Sequence, residues 1–186
     1  QHKNGYVSGV SEDDLVVFNM SMDKGRFIMA DDVASRSNVL VLGSNIAKQF
    51  MGEDEAICKS VRVGNRNYRV VGVLNPAGTR FFSNVDDEVF IPYTTALDAY
   101  NKDRVNFIVV KAGQVRPSDA KELIRIALRE THNIDNPNGD LTKDDFRVAT
   151  QDDAVQNVNN VSMVLQILLG SIAGISLFVA GIGIMN

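Results

Sequence analysis

VSMVLQILLGSIAGISLFVAGIGIM, residues Val161–Met185, is the stretch on which the reading of this chain turns. It carries no charge, and the charge-free run begins earlier, at Ala154, and continues to Asn186. As a helix, those 25 residues extend ~37 Å at about 1.5 Å per residue, against a bilayer core of roughly 30 Å. The stretch is long enough to cross with some tilt. A core helix of a soluble domain would keep a polar stripe at this length, and none is present. Asp152 and Asp153 open the segment and no Lys or Arg follows Arg147. Cytoplasmic flanks are rich in Lys and Arg, so the amino-terminal end of this helix is expected to face outward.

Working back, Val155, Val158, Val161 and Leu165 recur at helical spacing, with Gln156, Asn157, Asn159 and Asn160 among them. This predicts an amphipathic stalk, residues 151–160, running straight into a membrane helix, residues 161–186. Thr150 and Asp153 have the spacing of a capping box, with aspartate in the place of glutamate, and predict the helix start. Gly170 and Gly174 lie four residues apart, with Gly181 beyond. Small residues on one face let membrane helices approach closely, which makes these three the candidate helix-packing positions.

Upstream, short strands and helices alternate. Val39–Leu42 is an apolar run of strand length, and Ser44 is placed to cap a helix over Asn45–Met51 with Ile46, Ala47 and Phe50 on its apolar face. Val61 and Val63 alternate with polar residues, and a turn at Gly64, Asn65 and Arg66 leads into Tyr68–Leu74, predicting a β-hairpin. Val89–Ile91 is a strand stopped by Pro92, followed by a helix around Thr94–Tyr100. Val105–Lys111 reads as a central strand. Pro117 and Ser118 introduce a helix through Glu130 with Leu123, Ile124, Ala127 and Leu128 on one face. Phe146–Ala149 reads as a last strand. The expected fold class is α+β, a soluble body on a helical stalk.

The 186 residues suit one ordinary domain or two small ones, and 45% hydrophobic with 23% charged content excludes wholesale disorder. A net charge of -4 leaves no basic surplus for nucleic acid, and Arg62, Arg66 and Arg69 read as a solvated hairpin face. Cys58 is the single cysteine, so neither an intramolecular disulfide nor a cysteine metal cluster is available. Gln1 is not a start methionine, and the natural beginning is expected upstream.

No P-loop, dinucleotide fingerprint or nucleophile elbow occurs, and no cofactor or catalytic residue is expected in this chain. His2 and His132 are far apart and lack partners at metal spacing. The acidic doublets Asp13–Asp14, Asp31–Asp32, Asp86–Asp87, Asp144–Asp145 and Asp152–Asp153 fall where turns and caps are expected, which explains Asp without catalysis. Asp86, Asp87 and Glu88 lack the alternation of a calcium loop. In the loop 75–87, Phe81 and Phe82 sit among turn-forming residues beside Arg80. Adjacent aromatics there mark either a partner contact or rings folded back on the core. Arg80, Phe81 and Phe82 are the candidate contact residues.

Several strings taken in order resemble one family. They are Gly9-Val10-Ser11, Val39-Leu40-Val41-Leu42-Gly43, Val70-Val71-Gly72-Val73-Leu74, Ile91-Pro92-Tyr93-Thr94-Thr95, Ile175-Ser176-Leu177 and Gly181-Ile182-Gly183-Ile184-Met185-Asn186. Together they resemble the periplasmic core domain and second membrane helix of MacB/FtsX-type ABC-transporter permeases. The resemblance implies a two-lobed extracytoplasmic domain: a Porter-like lobe, residues 1–19 and 102–150, and an inserted Sabre-like lobe, residues 20–101. It also implies a bacterial inner-membrane protein whose stalk transmits motion driven by ATP, bound by a separate or fused cytoplasmic domain. The implied partners are that ATP-binding domain, a second permease copy, a periplasmic adaptor and membrane lipid. Efflux of macrolides, antimicrobial peptides or similar compounds is the leading task. Release of lipoproteins and activation of a cell-wall hydrolase are alternatives within the family, and a membrane-tethered sensor or binding module is an alternative outside it.

Overall fold

The computed structural model describes residues 6–51, 56–80, 83–136 and 139–185. The chain forms two compact units, residues 1–111 and 112–186.

The first unit contains β1 (Tyr6–Val10), α1 (Asp14–Val17), β2 (Met22–Gly25), α2 (Ala30–Ala34), β3 (Val39–Leu42), α3 (Ser44–Met51), β4 (Ser60–Val63), β5 (Arg66–Leu74), β6 (Thr79–Arg80), β7 (Ser83–Asn84), β8 (Glu88–Pro92) and α4 (Tyr93–Tyr100). Six strands make one mixed sheet in the order β1-β8-β3-β5-β2, with β4 also on β5. The β3 run is apolar throughout because both of its faces are covered. Val39 and Val41 join Phe27, Ile28, Val33 and Phe90 on one side. Leu40 and Leu42 join Ile46, Ala47, Tyr68 and Ile91 on the other. Leu40 and Val41 are 0% exposed. Full burial of such a side chain contributes about 1.5–3 kcal/mol, so the sheet centre carries this unit.

The predicted hairpin is β4–β5, with Val63 opposite Arg66 across a two-residue connection. Gly64 takes φ +59°, a conformation glycine adopts without strain. Ser44 is not the cap of α3 but its first residue. The carbonyl of Gly43 accepts from the Ala47 N–H, so the helix begins one residue earlier than its sequence suggests. Asn101, at φ 51°, ends α4 in the left-handed conformation common at helix ends.

Two strand expectations change, and one pairing is new. β1 pairs in parallel with β8, Tyr6 opposite Glu88 and Val10 opposite Pro92. The Ser8 hydroxyl adds a bond to the Glu88 carboxylate at 2.7 Å. Pairing of this kind closes an edge that β8 would otherwise leave open. Val105–Lys111 is not a central strand: it has no ladder partner among the described residues, and Phe107 and Ile108 are 79% and 74% exposed. Phe146–Ala149 likewise forms no strand. Strand-forming side chains specify a strand only where a neighbouring strand receives them, and neither segment has a ladder partner among the described residues.

The second unit contains α5 (Pro117–Thr131), a single 3₁₀ turn at Leu141–Lys143, and α6 (Gln151–Met185). Pro117 occupies the first turn of α5, where its missing N–H costs nothing.

Candidate functional site

The residues that carry the sequence argument converge on the second unit, where α5, the segment 132–150 and the start of α6 are tied together by side chains. On α5, Lys121, Arg125 and Arg129 follow at four-residue spacing and share one face. Their side chains are half-buried or more, with 25%, 14% and 12% exposed. The face expected to be wholly apolar is therefore mixed. Ile124 and Leu128 lie beside these cations, while Leu123 and Ala127 are exposed.

Arg129 grips Asp144 through two parallel bonds, Nε to Oδ1 at 2.7 Å and a terminal nitrogen to Oδ2 at 2.8 Å. Two-pronged pairs of this kind fix orientation as well as distance. Asn136 donates to the same carboxylate at 3.3 Å, and Arg125 Nε lies 4.0 Å away. Asp145 accepts from or faces His132 Nδ1 at 2.8 Å, and the His132 ring meets Phe146 edge-on. The doublet thus ties the connecting segment to α5 through Asp144 and to the residue that caps α5, His132, through Asp145.

The hydrogen bond from Arg129 holds the Asp144 carboxyl below its ordinary pKa of 3.8, with Asn136 and Arg125 adding to it against desolvation. A carboxyl lowered by folding contributes stability above its ordinary pKa and loses that contribution as pH falls through the lowered value. In an acid titration followed by NMR, the Arg129 Nε–H resonance should therefore keep its bonded position at neutral pH. The midpoint of its shift should lie below pH 3.8.

At the start of α6 the capping box is present as the sequence predicts. The Thr150 N–H donates to Asp153 Oδ2 at 2.8 Å, and the Asp153 N–H donates to Thr150 Oγ1 at 3.2 Å. Lys121 Nζ reaches the same Asp153 oxygen at 2.6 Å. From that point α6 is one helix of 35 residues, ~52 Å at about 1.5 Å per residue. Among the described residues it is the helix long and apolar enough to cross a membrane, and its apolar window is unburied. Leu165, Leu169, Ile175 and Leu177 are all exposed. Ser171 and Ser176 donate to the carbonyls of Ile167 and Ile172, so both hydroxyls are satisfied within the helix, as an apolar surrounding requires. Sequence reasoning missed these bonds, although a serine four residues after a carbonyl in an apolar helix is the signal for them. Gly170 and Gly174 meet nothing within 4 Å where a side chain would stand. Gly181 lies further along α6.

The other candidate cluster belongs to the first unit. Arg80 ends β6, opposite Ser83 of β7, while Phe81 and Phe82 lie outside the described residues. The base of that loop is fixed by the doublet that follows it. Asp86 accepts from the N–H groups of Ala77 and Gly78 at 2.8 and 3.0 Å. Asp87 accepts from Asn45 and Asn84 at 3.1 and 2.7 Å. These carboxylates serve loop geometry, and among the described residues no group of three or more His, Cys, Asp or Glu is placed to hold a metal.

Residues 1–130 match the family model described as the MacB-like periplasmic core domain. A macrolide export ATP-binding/permease protein MacB from Wolinella succinogenes is 32% identical over 173 residues, which cover 91% of this chain and 26% of that protein. A protein of the same description from Bordetella avium is 33% identical, covering 98% of this chain and 27% of that protein. This chain thus spans about a quarter of the length of these relatives. The crystal structure of the periplasmic region of MacB from Actinobacillus actinomycetemcomitans superposes with a TM-score of 0.63 at 23% identity, over 83% of this chain and 65% of that one. The extracellular domain of the noncanonic ABC-type transporter YknZ from Gram-positive bacteria gives 0.52 at 18%, over 72% and 70%. With the family model matching well over half of its length, the chain belongs to the family of MacB-like periplasmic core domains.

Proposed function

We propose that this chain is the extracytoplasmic part of an ABC-type export permease in a bacterial inner membrane, with α6 carrying motion between the membrane and the folded body. The observation that supports this reading best is the continuity of α6. One helix starts at a reciprocal cap, passes through a polar-flanked stretch and becomes an apolar span without a break. A continuous helix conveys displacement along its axis without bending, whereas a hinge would absorb it. The energy source is ATP held by a cytoplasmic domain outside this chain, as the description of the relatives as ATP-binding/permease proteins suggests. Their description as macrolide exporters makes macrolides the first substrates to test. A second permease copy and a periplasmic adaptor complete the assembly, with Arg80, Phe81 and Phe82 as candidate contacts.

The test is export by the full-length protein with its ATPase in cells stripped of other macrolide exporters. ATP-dependent extrusion of a labelled macrolide is the expected result. Unchanged accumulation in cells carrying the intact protein, compared with an ATPase-dead form, would contradict it.

A further inference from the structure

The contact between Lys121 and Asp153 has a property the neighbouring ion pairs lack: it joins the two long helices of the second unit directly. Arg129 and Asp144 tie α5 to the connecting segment. Lys121 instead reaches from α5 to the first turn of α6, at 2.6 Å, and does so on the carboxylate that already caps that helix. The first turn of α6 therefore cannot move off α5 without breaking a charge-assisted bond at its own cap. The pair is partly open to water, with 25% of the lysine and 35% of the aspartate side chain exposed. Pairs exposed to this degree contribute little to stability. Its location, at the junction where axial motion of α6 meets the rest of the unit, gives it another role.

We propose that Lys121 is a positioning residue that latches α5 to the start of α6, so that displacement of α6 is delivered to α5 instead of being taken up by the segment 132–150. This rests on the transmission reading given above. Three features support it. The paired bonds from Arg129 to Asp144 brace that segment against α5, so the latch and the brace act on the same helix. The ladder Lys121, Arg125, Arg129 places its single lysine, the flexible member, at the end that meets α6. The Asp153 cap is complete without Lys121, since Thr150 supplies both of its bonds, so removing the lysine leaves the helix start intact.

The test uses the full-length protein with its ATPase in membranes, spin-labelled at Ser118 and Gln156, as the unaltered form, Lys121→Met and Lys121→Arg. Methionine keeps the apolar stem and removes the charge. The expected result is a narrow distance distribution in the unaltered protein and a broadened one in Lys121→Met, at an unchanged melting temperature. Labelled macrolide exported per ATP hydrolysed should fall at least about fivefold, the lower end of coupling between sites. ATP hydrolysis itself should persist, and Lys121→Arg should restore both measures. An equally narrow distribution in Lys121→Met, or undiminished export per ATP, would overturn the proposal. A parallel fall in melting temperature, hydrolysis and export would overturn it too, by making Lys121 a structural brace. Absence of ATP-driven export in the unaltered protein would count against the transmission reading, while the distance measurement would still decide whether the latch exists.

Discussion

Gly72→Ala is expected to unfold or severely loosen the first unit, although it adds one methyl group. Gly72 lies in β5 opposite Gly25 of β2 and beside Val41 of β3, so backbone surrounds it on both sides. A Cβ there would stand 2.3 Å from the Arg26 carbonyl oxygen and 2.5 Å from the Met22 side-chain end. The methionine can move, but the carbonyl cannot, since the Arg26 N–H is bonded to the Val71 carbonyl at 3.0 Å. The opposing glycine is as constrained. A Cβ on Gly25 would meet the Val71 carbonyl oxygen at 2.2 Å, and its φ of +75° already disfavours other residues. Overpacking of this kind costs about 1–3 kcal/mol and more when backbone must shift. Each kcal/mol lowers Tm by roughly 4–8 °C in a domain of this size. Thermal unfolding followed by circular dichroism should show that drop, whereas Gly113→Ala, at a site with open space around it and no left-handed φ, should lose far less.

The double variant Gly170→Leu, Gly174→Leu should abolish export while leaving the body folded. Both positions meet nothing within 4 Å, so leucine side chains fit α6 by itself. Leucine also makes the helix more apolar, so insertion into the membrane should not suffer. On the reading of Gly170 and Gly174 as a packing face, the change removes close backbone approach by a second helix along the four-residue spacing. A penalty of only about 1.4 kcal/mol reduces association tenfold, and two leucines on one face exceed that. Macrolide export should fall at least that far at normal expression, with oligomer cross-linking reduced in step. Full export by the double variant would mean that this face looks at lipid.

What the sequence revealed depended on how local the determinants were. The strand Val39–Leu42 and the hairpin ending at Leu74 were legible because burial on both faces and a two-residue turn leave marks within a few positions. The cap at Thr150 and Asp153 was legible for the same reason. The parallel pairing of Tyr6–Val10 with Glu88–Pro92 joins residues more than eighty positions apart, and nothing nearby announces it. Val105–Lys111 has the side-chain preference of a strand, but no neighbouring strand among the described residues receives it. In the candidate site, the acidic doublets were read as turn and cap residues. That reading is right for Asp86 and Asp153 and incomplete for Asp144, whose arginine lies fifteen residues away. The Lys121 contact spans thirty-two residues. Only the four-residue ladder of cations on α5 hinted at it, and that ladder resembles any solvated helix face.

The proposed function requires that the folded body lie outside the cytoplasm and that α6 cross the membrane. Cys58, an exposed thiol in the first unit, allows a direct measurement. In the full-length protein with any other cysteines replaced, intact spheroplasts would be treated with a membrane-impermeant maleimide and compared with spheroplasts opened by detergent. Cys58 is expected to be labelled to the same extent in both. Labelling that appears only after the membrane is opened would place the body in the cytoplasm and contradict it.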